Sequence, residues 1–171
     1  MLVRLVYASR SSSPITENLI EDILAKSRKY NLDVGLTGVL CVCHDDVFIQ
    51  LLEGSREEVN RLYGKLLRDE RHQEVTLLDY AEIEERRFSS WRMGRVDLDK
   101  LNVGVVLKYS EKPQLDPFRI SGRVAPDLEA EAGEDARAHH VGDDEGRGRG
   151  QAEARLHLFL KNRTESLFVP Q

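Results

Sequence analysis

The segment Asn31–Gly54 (NLDVGLTGVLCVCHDDVFIQLLEG) constrains the fold more than any other part of the chain. Gly35 and Gly38 permit tight backbone geometry before an apolar run, Val39–Val42. The polar residues 44–46 predict a turn, and a second apolar run, Val47–Leu52, follows them. We therefore expect a β-hairpin whose second strand is Val47–Leu52.

One polar residue, Gln50, interrupts the second strand of this hairpin. Side chains alternate between the two faces of a strand, so Phe48, Gln50 and Leu52 share one face. Burying an amide without partners costs on the order of 1–3 kcal/mol. Gln50 therefore needs a hydrogen-bond partner, and a bound ligand is one candidate.

Three further strands are predicted outside the hairpin. The first covers Leu2–Ser9, with alternating apolar residues on both faces, which is typical of a central strand. A fourth covers Val75–Tyr80 and a short fifth covers Ser90–Val96. Two helices connect these strands, so that the order is β-α-β-β-α-β-β.

The first helix is predicted to begin with Ser13 as N-cap and Pro14 at the first helical position, and to run to about Tyr30. The second begins with a capping box formed by Ser55 and Glu58. Right-handed crossovers place both helices on the same face of one sheet. The fold class is therefore α+β, a ferredoxin-like sheet with two helices on one face, and a C-terminal helical segment is expected to cover the other face.

We expect the chain to divide into three parts. Residues 1–96 form the ferredoxin-like domain, and 97–134 form a helical extension in which Leu98, Leu101 and Val105 support a helix. The tail, 135–171, begins in an acidic, glycine-containing stretch and is expected to be partly disordered, with a short helix near 152–160.

Composition excludes several classes of function. The chain of 171 residues has a net charge of −5, which argues against nucleic acid as a direct partner. It has no apolar run long enough for a membrane span and no signal peptide, so a cytoplasmic protein is expected. Cys41 and Cys43 are interpreted as reduced strand residues and His139-His140 as a solvated pair, so no metal site is predicted.

Several polar and aromatic residues converge in this topology. Tyr7 is central in the first strand, which neighbours the strand of Gln50, so the two side chains could form a hydrogen bond. Asn31 ends the first helix, and Trp91 and Met93 are expected to share a face of the fifth strand. Taken singly, most of them have ordinary roles in a core or at a helix end. Together they form no hydrolytic site, but they could hold a flat heteroaromatic ligand with carbonyl and N–H groups.

Five short motifs extend this interpretation. They are Val6-Tyr7-Ala8-Ser9, Asn31 with Gly35–Leu40, Phe48–Gly54, Arg68–His72 and Phe88–Met93. In their order and spacing they resemble the BLUF family of flavin-binding blue-light sensors, over roughly residues 1–96. The resemblance implies a short-type photoreceptor and not an enzyme.

The cofactor implied by the resemblance is FAD, with FMN as an alternative, lying between the two helices. Asn31 would hold the polar edge of the flavin ring, and Gln50 would bridge Tyr7 and the ring. Arg71 and His72 would lie toward the ribityl and phosphate end. The implied flavin contacts are Tyr7, Ser9, Asn31, Gln50, Leu52, Arg71 and His72.

The mechanism implied by the resemblance begins with electron and proton transfer from Tyr7, which leaves Gln50 in a changed hydrogen-bonding form. Trp91, Met93 and the fifth strand would relay this change toward the C-terminal segment or a partner-binding surface. The implied partners are a downstream protein of unknown identity and further copies of this chain in a homo-oligomer.

Two alternatives remain open from the sequence. The first is a dark flavin-dependent reductase, which would need a nicotinamide site, although no GxGxxG motif follows a strand. The second is a ligand-free, ferredoxin-like interaction module in which Tyr7 alone satisfies Gln50. Bound flavin and its response to light distinguish the three possibilities.

Overall fold

The computed structural model describes residues 1–44, 46–100, 103–109, 112–113, 115–119 and 127. All of them belong to one compact unit, Met1–His139. The predicted tail with its helix near 152–160, the His139-His140 pair, Leu101 and residue 45 of the predicted turn lie outside the described residues. None of the helices in the described ranges has the length and apolar character that a membrane span requires.

Five strands form a single sheet. They are β1 (Leu2–Ser11), β2 (Thr37–Cys43), β3 (Val47–Ser55), β4 (His72–Ile83) and β5 (Gly94–Asp97). Across the sheet the order is β4-β1-β3-β2-β5. Neighbouring strands are antiparallel except β2 and β5, which are parallel. The predicted hairpin is β2–β3, and β1 lies between β3 and β4.

Three α-helices are described: α1 (Glu17–Val34), α2 (Arg56–Leu66) and α3 (Val103–Tyr109). A single 3-10 turn covers Leu98–Lys100. Helix α1 connects β1 to β2 and α2 connects β3 to β4, and each connection passes over one intervening strand. The predicted α+β, ferredoxin-like order of elements is therefore confirmed.

Helix α1 begins later than the sequence indicated. Its N-cap is Thr16, whose hydroxyl oxygen accepts a hydrogen bond from the Leu19 N–H at 3.3 Å. The prediction of Ser13 as the cap was wrong, because Thr16 offers the same hydroxyl one turn closer to the apolar stripe. The helix also continues past Tyr30 and ends at Gly35, whose left-handed φ of 69° lets its N–H bond to the carbonyl of Asn31.

Helix α2 begins as predicted at Ser55. The Ser55 hydroxyl accepts from the Glu58 N–H at 3.3 Å, which is the first half of a capping box. The second half is replaced, because the Glu58 carboxylate forms an ion pair with Arg61 at 2.6 Å. The cap thus depends on the serine alone.

Each face of the sheet carries its own apolar cluster. The helix-side cluster lies between the sheet and helices α1 and α2, and its largest members are Leu5, Tyr7, Leu36, Phe48 and Leu52. The far-side cluster covers the opposite face and includes three buried residues from beyond β5, namely Leu98, Val106 and Leu115. The expectation that a C-terminal segment covers the far face is therefore confirmed.

Strand β5 is shorter than predicted, and this changes the placement of two residues. It begins at Gly94, so Trp91 and Met93 precede it. Met93 is buried in the helix-side cluster, whereas Trp91 packs against the far-side cluster. The prediction that they share a face of the fifth strand was wrong, because side-chain donors of Asn31 and Arg28 hold the carbonyls of residues 92 and 93 on the helix side.

Candidate functional site

A pocket of about 210 Å³ opens between α1, α2 and the sheet. Its apolar walls come from both helices and from strands β2 and β3, and include Ile23, Leu40, Phe48, Leu62 and Leu66. Its polar lining consists of Lys26, Ser27, Tyr30, Asn31, Gln50, Lys65, Asp69, Arg71 and His72. The pocket is thus apolar in its depth, with two carboxamides inside it and charged groups among its lining residues.

Tyr7, Gln50 and Met93 form a hydrogen-bonded line beside the pocket. The antiparallel register of β1 and β3 places Tyr7 directly opposite Gln50. The Tyr7 hydroxyl donates to Gln50 Oε1 at 2.5 Å, and Gln50 Nε2 donates to the Met93 sulfur at 3.5 Å. The predicted hydrogen bond between Tyr7 and Gln50 is therefore confirmed, and both polar ends of the Gln50 amide have partners.

The Tyr7 phenol is fully buried, and burial raises its pKa well above the usual value for tyrosine. The neighbouring Tyr63 phenol, whose ring centroid lies 5.7 Å away, acts in the same direction. Tyr7 is therefore a neutral hydroxyl across the physiological pH range. It holds its proton on the side of Gln50.

Asn31 supplies the unsatisfied polar atom of the site. Its side-chain N–H donates to the carbonyl of Arg92, which fixes the amide. Its Oδ1 atom is buried and has no hydrogen-bond partner among the residues that the structure describes. A buried acceptor without a partner lowers the stability of the fold. A ligand N–H that donates to this oxygen would remove that free-energy cost.

Charged residues follow helix α2 at one side of the pocket. Arg71 binds the Asp69 carboxylate through two nitrogens, with its Nε 2.9 Å from Oδ1, and this hydrogen bonding lowers the pKa of Asp69 to about 2. His72 shares a hydrogen bond of 2.8 Å with the Ser9 hydroxyl, and burial lowers the pKa of His72. Asp69 is thus ionised and His72 is neutral at pH 7.

Two lysines of the pocket were not singled out from the sequence. Lys26 on α1 and Lys65 on α2 both line it, and the Lys65 ammonium lies 4.7 Å from the centre of the Tyr30 ring. The only sequence signal is that each lysine stands beside the apolar stripe of its helix. Together with Arg71 they bring three cations to the pocket lining against the single carboxylate of Asp69, which pairs with Arg71. Lys26 also pairs with Asp22 at 2.6 Å. The remaining excess of positive charge suits a phosphate group.

The expected flavin contacts fall into two groups in the structure. Asn31, Gln50, Arg71 and His72 line the pocket, as the resemblance implies. Three others lie around it: Tyr7 behind Gln50, Ser9 behind His72, and Leu52 buried in the helix-side cluster.

The fold and the pocket together define a class of protein. It is a ferredoxin-like domain with a pocket between two helices, lined by two fixed carboxamides and rimmed by cations. Such a pocket suits a flat heteroaromatic ring joined to a phosphate-bearing chain.

Residues 2–94 match the family described as BLUF, sensors of blue light using FAD. This match covers more than half of the chain, so the chain belongs to the BLUF family. Members of this family bind flavin and pass a light signal to effectors or partner proteins. The described part of the chain accordingly contains a BLUF sensor domain.

The matches to named relatives cover somewhat more than half of this chain. The blue light- and temperature-regulated antirepressor BluF of Escherichia coli is 34% identical over 102 residues, which are 57% of this chain and 24% of BluF. The photoactivated adenylate cyclase subunit beta of Euglena longa is 29% identical over 93 residues, which are 54% of this chain and 11% of that subunit. The chain therefore matches less than a quarter of the length of these relatives.

Solved structures match over a larger share. The ground state of BlsA has 30% sequence identity and a TM-score of 0.65, and the alignment covers 77% of this chain and 87% of BlsA. The dark state of BlrB, a BLUF protein, has 29% sequence identity and a TM-score of 0.63, and the alignment covers 93% of BlrB. These likenesses confirm the fold that the sequence predicted.

Proposed function

We propose that this chain is a blue-light receptor that binds FAD in the pocket between α1 and α2. The observation that carries the proposal is the hydrogen-bonded line from Tyr7 through Gln50 to Met93 beside that pocket. A redox-active phenol bonded to a switchable amide has no evident use in a hydrolytic enzyme. It is well suited to a photosensor.

The residues fit a flavin in three respects. The unpartnered Asn31 Oδ1 can accept a hydrogen bond from the N–H of the ring. Gln50 lines the same pocket and can reach the polar edge of the ring through its amide. Lys26, Lys65 and Arg71 can bind phosphate groups at the rim, which favours FAD or FMN over riboflavin.

When bound, the flavin absorbs blue light and becomes a strong oxidant. Tyr7 is the proposed donor: its phenol would pass one electron to the excited flavin, and its proton would move along the existing hydrogen bond to Gln50 Oε1. After the proton and electron return, the Gln50 amide retains a changed set of hydrogen bonds. Before illumination the amide donates to the Met93 sulfur, and because a thioether is a weak acceptor, we expect this hydrogen bond to be the first that is lost.

The changed amide is proposed to act on the segment before β5. Met93 contacts Gln50 on the helix side, and Trp91, two residues earlier, packs on the far side with the C-terminal residues. The proposed output is a surface of this C-terminal part that binds a downstream protein or a further copy of the chain. The two cysteines of β2 are buried and form no disulfide, which supports a location in the reducing cytoplasm.

An absorption spectrum in the dark and after a blue flash tests the proposal. Purified protein is expected to carry a flavin whose absorption shifts slightly to the red and recovers in the dark. Tyr7→Phe and Gln50→Leu should each keep the flavin and abolish the normal shifted state. The matched control is Tyr63→Phe, because Tyr63 lies beside Tyr7 without bonding to Gln50, and it should shift as the wild type does.

Other outcomes point to the alternative functions. A bound flavin that bleaches rapidly with NADH in the dark, and does not shift in light, would indicate a reductase. Protein that takes up no FAD, with a melting temperature unchanged by added FAD, would indicate a ligand-free interaction module. Normal photocycling in Tyr7→Phe would overturn the role given to Tyr7.

A further inference from the structure

A second cluster of chemically active side chains lies away from the pocket, at the turn between β2 and β3. It consists of Cys43, His44 and Asp99, each of which offers one ligand atom, and these three atoms lie within 4.8 Å of one another. The Asp99 carboxylate lies at the centre of the cluster. One of its oxygens is 3.2 Å from His44 Nδ1 and 3.8 Å from the Cys43 sulfur.

The backbone explains how consecutive residues reach one point. Neighbouring side chains on a strand normally point to opposite faces. His44 has a left-handed φ of 56°, which ends this alternation directly after β2. The Asp99 carboxylate also accepts a hydrogen bond of 2.7 Å from the His44 N–H, so the 3-10 turn after β5 is fixed against the hairpin.

The second nitrogen of His44 determines what the first can do. His44 Nε2 lies 2.9 Å from the carbonyl of Leu115, an acceptor only, so Nε2 carries the proton. In neutral His44 the Nδ1 atom then presents a lone pair toward an Asp99 oxygen 3.2 Å away. Two acceptors at this distance repel unless a cation lies beside them, either a proton on Nδ1 or a metal ion.

We propose that Cys43, His44 and Asp99 bind a divalent transition-metal ion of the Zn²⁺ class, with water as the fourth ligand. Thiolate, imidazole and carboxylate are each normal zinc ligands, and three protein ligands with an open fourth position is a common arrangement. Histidine ligands of metals usually donate their other N–H to a carbonyl, which is the contact that His44 makes with Leu115. The site is independent of the flavin pocket and of the function proposed for it.

The charges around Cys43 determine what binding must change. Burial, and then the nearby Asp99 carboxylate, raise the pKa of the Cys43 thiol to about 12. A dication bound among these groups would stabilise the thiolate, so the thiol would release its proton to solvent as the metal–sulfur bond forms. Asp99 and His44 are partly exposed, with side-chain exposures of 41% and 46%, and they provide the path of entry.

Co²⁺ is the probe for this site, because a thiolate-bound tetrahedral Co²⁺ ion absorbs in the red, where oxidised flavin does not. Full-length protein, with or without bound flavin, would be stripped with a chelator and titrated with Co²⁺ and then with Zn²⁺. We expect one Co²⁺ per chain, displacement by Zn²⁺ and a higher melting temperature with Zn²⁺. Cys43→Ser and Asp99→Asn should each weaken binding by more than about 100-fold, since even outer partners of metal ligands contribute about 10–100-fold.

Two controls isolate the cluster. Cys41→Ser changes the other buried cysteine of β2 and should leave Co²⁺ binding unchanged. Replacing both His139 and His140 by Gln removes the only pair of consecutive histidines in the sequence and should also leave Co²⁺ binding unchanged. An unaltered far-ultraviolet circular dichroism spectrum in Asp99→Asn shows that this variant is folded.

Three results would overturn the proposal. The first is the absence of stoichiometric Co²⁺ binding, which would mean that protonated His44 and Asp99 form an ordinary ion pair. The second is wild-type binding in folded Asp99→Asn. The third is loss of binding in the His139 and His140 double variant alone, which would place the metal in the tail.

Discussion

The buried hydroxyl of Tyr7 couples the stability of the protein to pH. In the folded state burial raises the pKa of Tyr7, whereas in the unfolded chain it is about 10. The stabilisation is therefore complete below about pH 10 and is lost as the pH rises above that value, because only the unfolded chain can release the proton. The free energy of unfolding in urea should fall with alkaline pH by up to about 1.4 kcal/mol per pH unit from this group.

Tyr7→Phe removes this group and should flatten the alkaline fall in stability. Tyr80→Phe is the control, because Tyr80 is 38% exposed whereas Tyr7 is fully buried. If the free energy of unfolding fell equally steeply with alkaline pH in the wild type and in Tyr7→Phe, Tyr7 could not be a buried, un-ionised phenol.

Asn31 is expected to determine flavin affinity more than the stability of the empty fold. Asn31→Ala loses the acceptor Oδ1 and the hydrogen bond to the Arg92 carbonyl. The dissociation constant of FAD, measured by quenching of flavin fluorescence, should rise about 10-fold, the equivalent of one hydrogen bond of about 1.4 kcal/mol.

Asn60→Ala is the matched control for Asn31→Ala, because Asn60 is exposed on α2 and lies outside the pocket lining. It should bind FAD with the affinity of the wild type. Unchanged affinity in Asn31→Ala would remove Asn31 from the set of flavin-binding residues.

At the level of elements, Glu53 holds the connection between β4 and β5 against the sheet. Its two carboxylate oxygens accept the backbone N–H groups of Arg87 at 3.1 Å and Phe88 at 2.9 Å, and its side chain is 1% exposed. Glu53→Gln replaces one acceptor with a donor that faces another donor. We expect a loss of about 1–3 kcal/mol in the free energy of unfolding.

Glu57→Gln makes the same chemical change on α2, where the side chain is 76% exposed and pairs with Arg61. It should change stability by less than about 0.5 kcal/mol in the same urea titration. Equal effects of the two substitutions would mean that the buried carboxylate contributes nothing to holding the connection.

The order of the elements could be predicted from the sequence because each depends on a local pattern. Alternation in β1 and β3 placed Tyr7 and Gln50 correctly, since the register of buried strands is fixed by which residues must face the core. The start of α1 was missed because Ser13 and Thr16 carry the same capping hydroxyl, and only packing decides between them. The start of β5 was missed because the partners of residues 91–93 come from α1 and β2, far away in sequence.

The site was predictable where a motif supplied it and not where tertiary contacts built it. Asn31 and Gln50 stood out as polar residues among apolar ones. Lys26 and Lys65 belong to different helices, so no local pattern indicates that they meet at one pocket. The cluster of Cys43, His44 and Asp99 was likewise missed, since Asp99 lies 55 positions from His44 in the chain.

Taken as a whole, the molecule has two apolar clusters that the sheet separates, and the segment before β5 reaches both. Met93 is buried on the helix side beside Gln50, and Trp91 packs on the far side, where its ring lies 5.7 Å from that of Phe88. Gly94 permits this crossing, because a Cβ atom there would lie 1.8 Å from the Trp91 ring. A change at Gln50 can therefore reach the far face through three consecutive residues.

This route predicts that light loosens the packing of α3. If the Gln50 amide releases the Met93 sulfur, the segment relaxes and Trp91 packs less tightly against the cluster that holds Val106 and Leu115. Amide hydrogen exchange in α3 should be several-fold faster under continuous blue light than in the dark, since a loss of about 1 kcal/mol in local stability changes opening about fivefold. Trp91→Ala should keep the flavin and its red shift but lose this difference between light and dark. Tyr80→Ala, which removes an exposed aromatic ring from β4, should retain it, and a light response of α3 that survives in Trp91→Ala would require another route across the sheet.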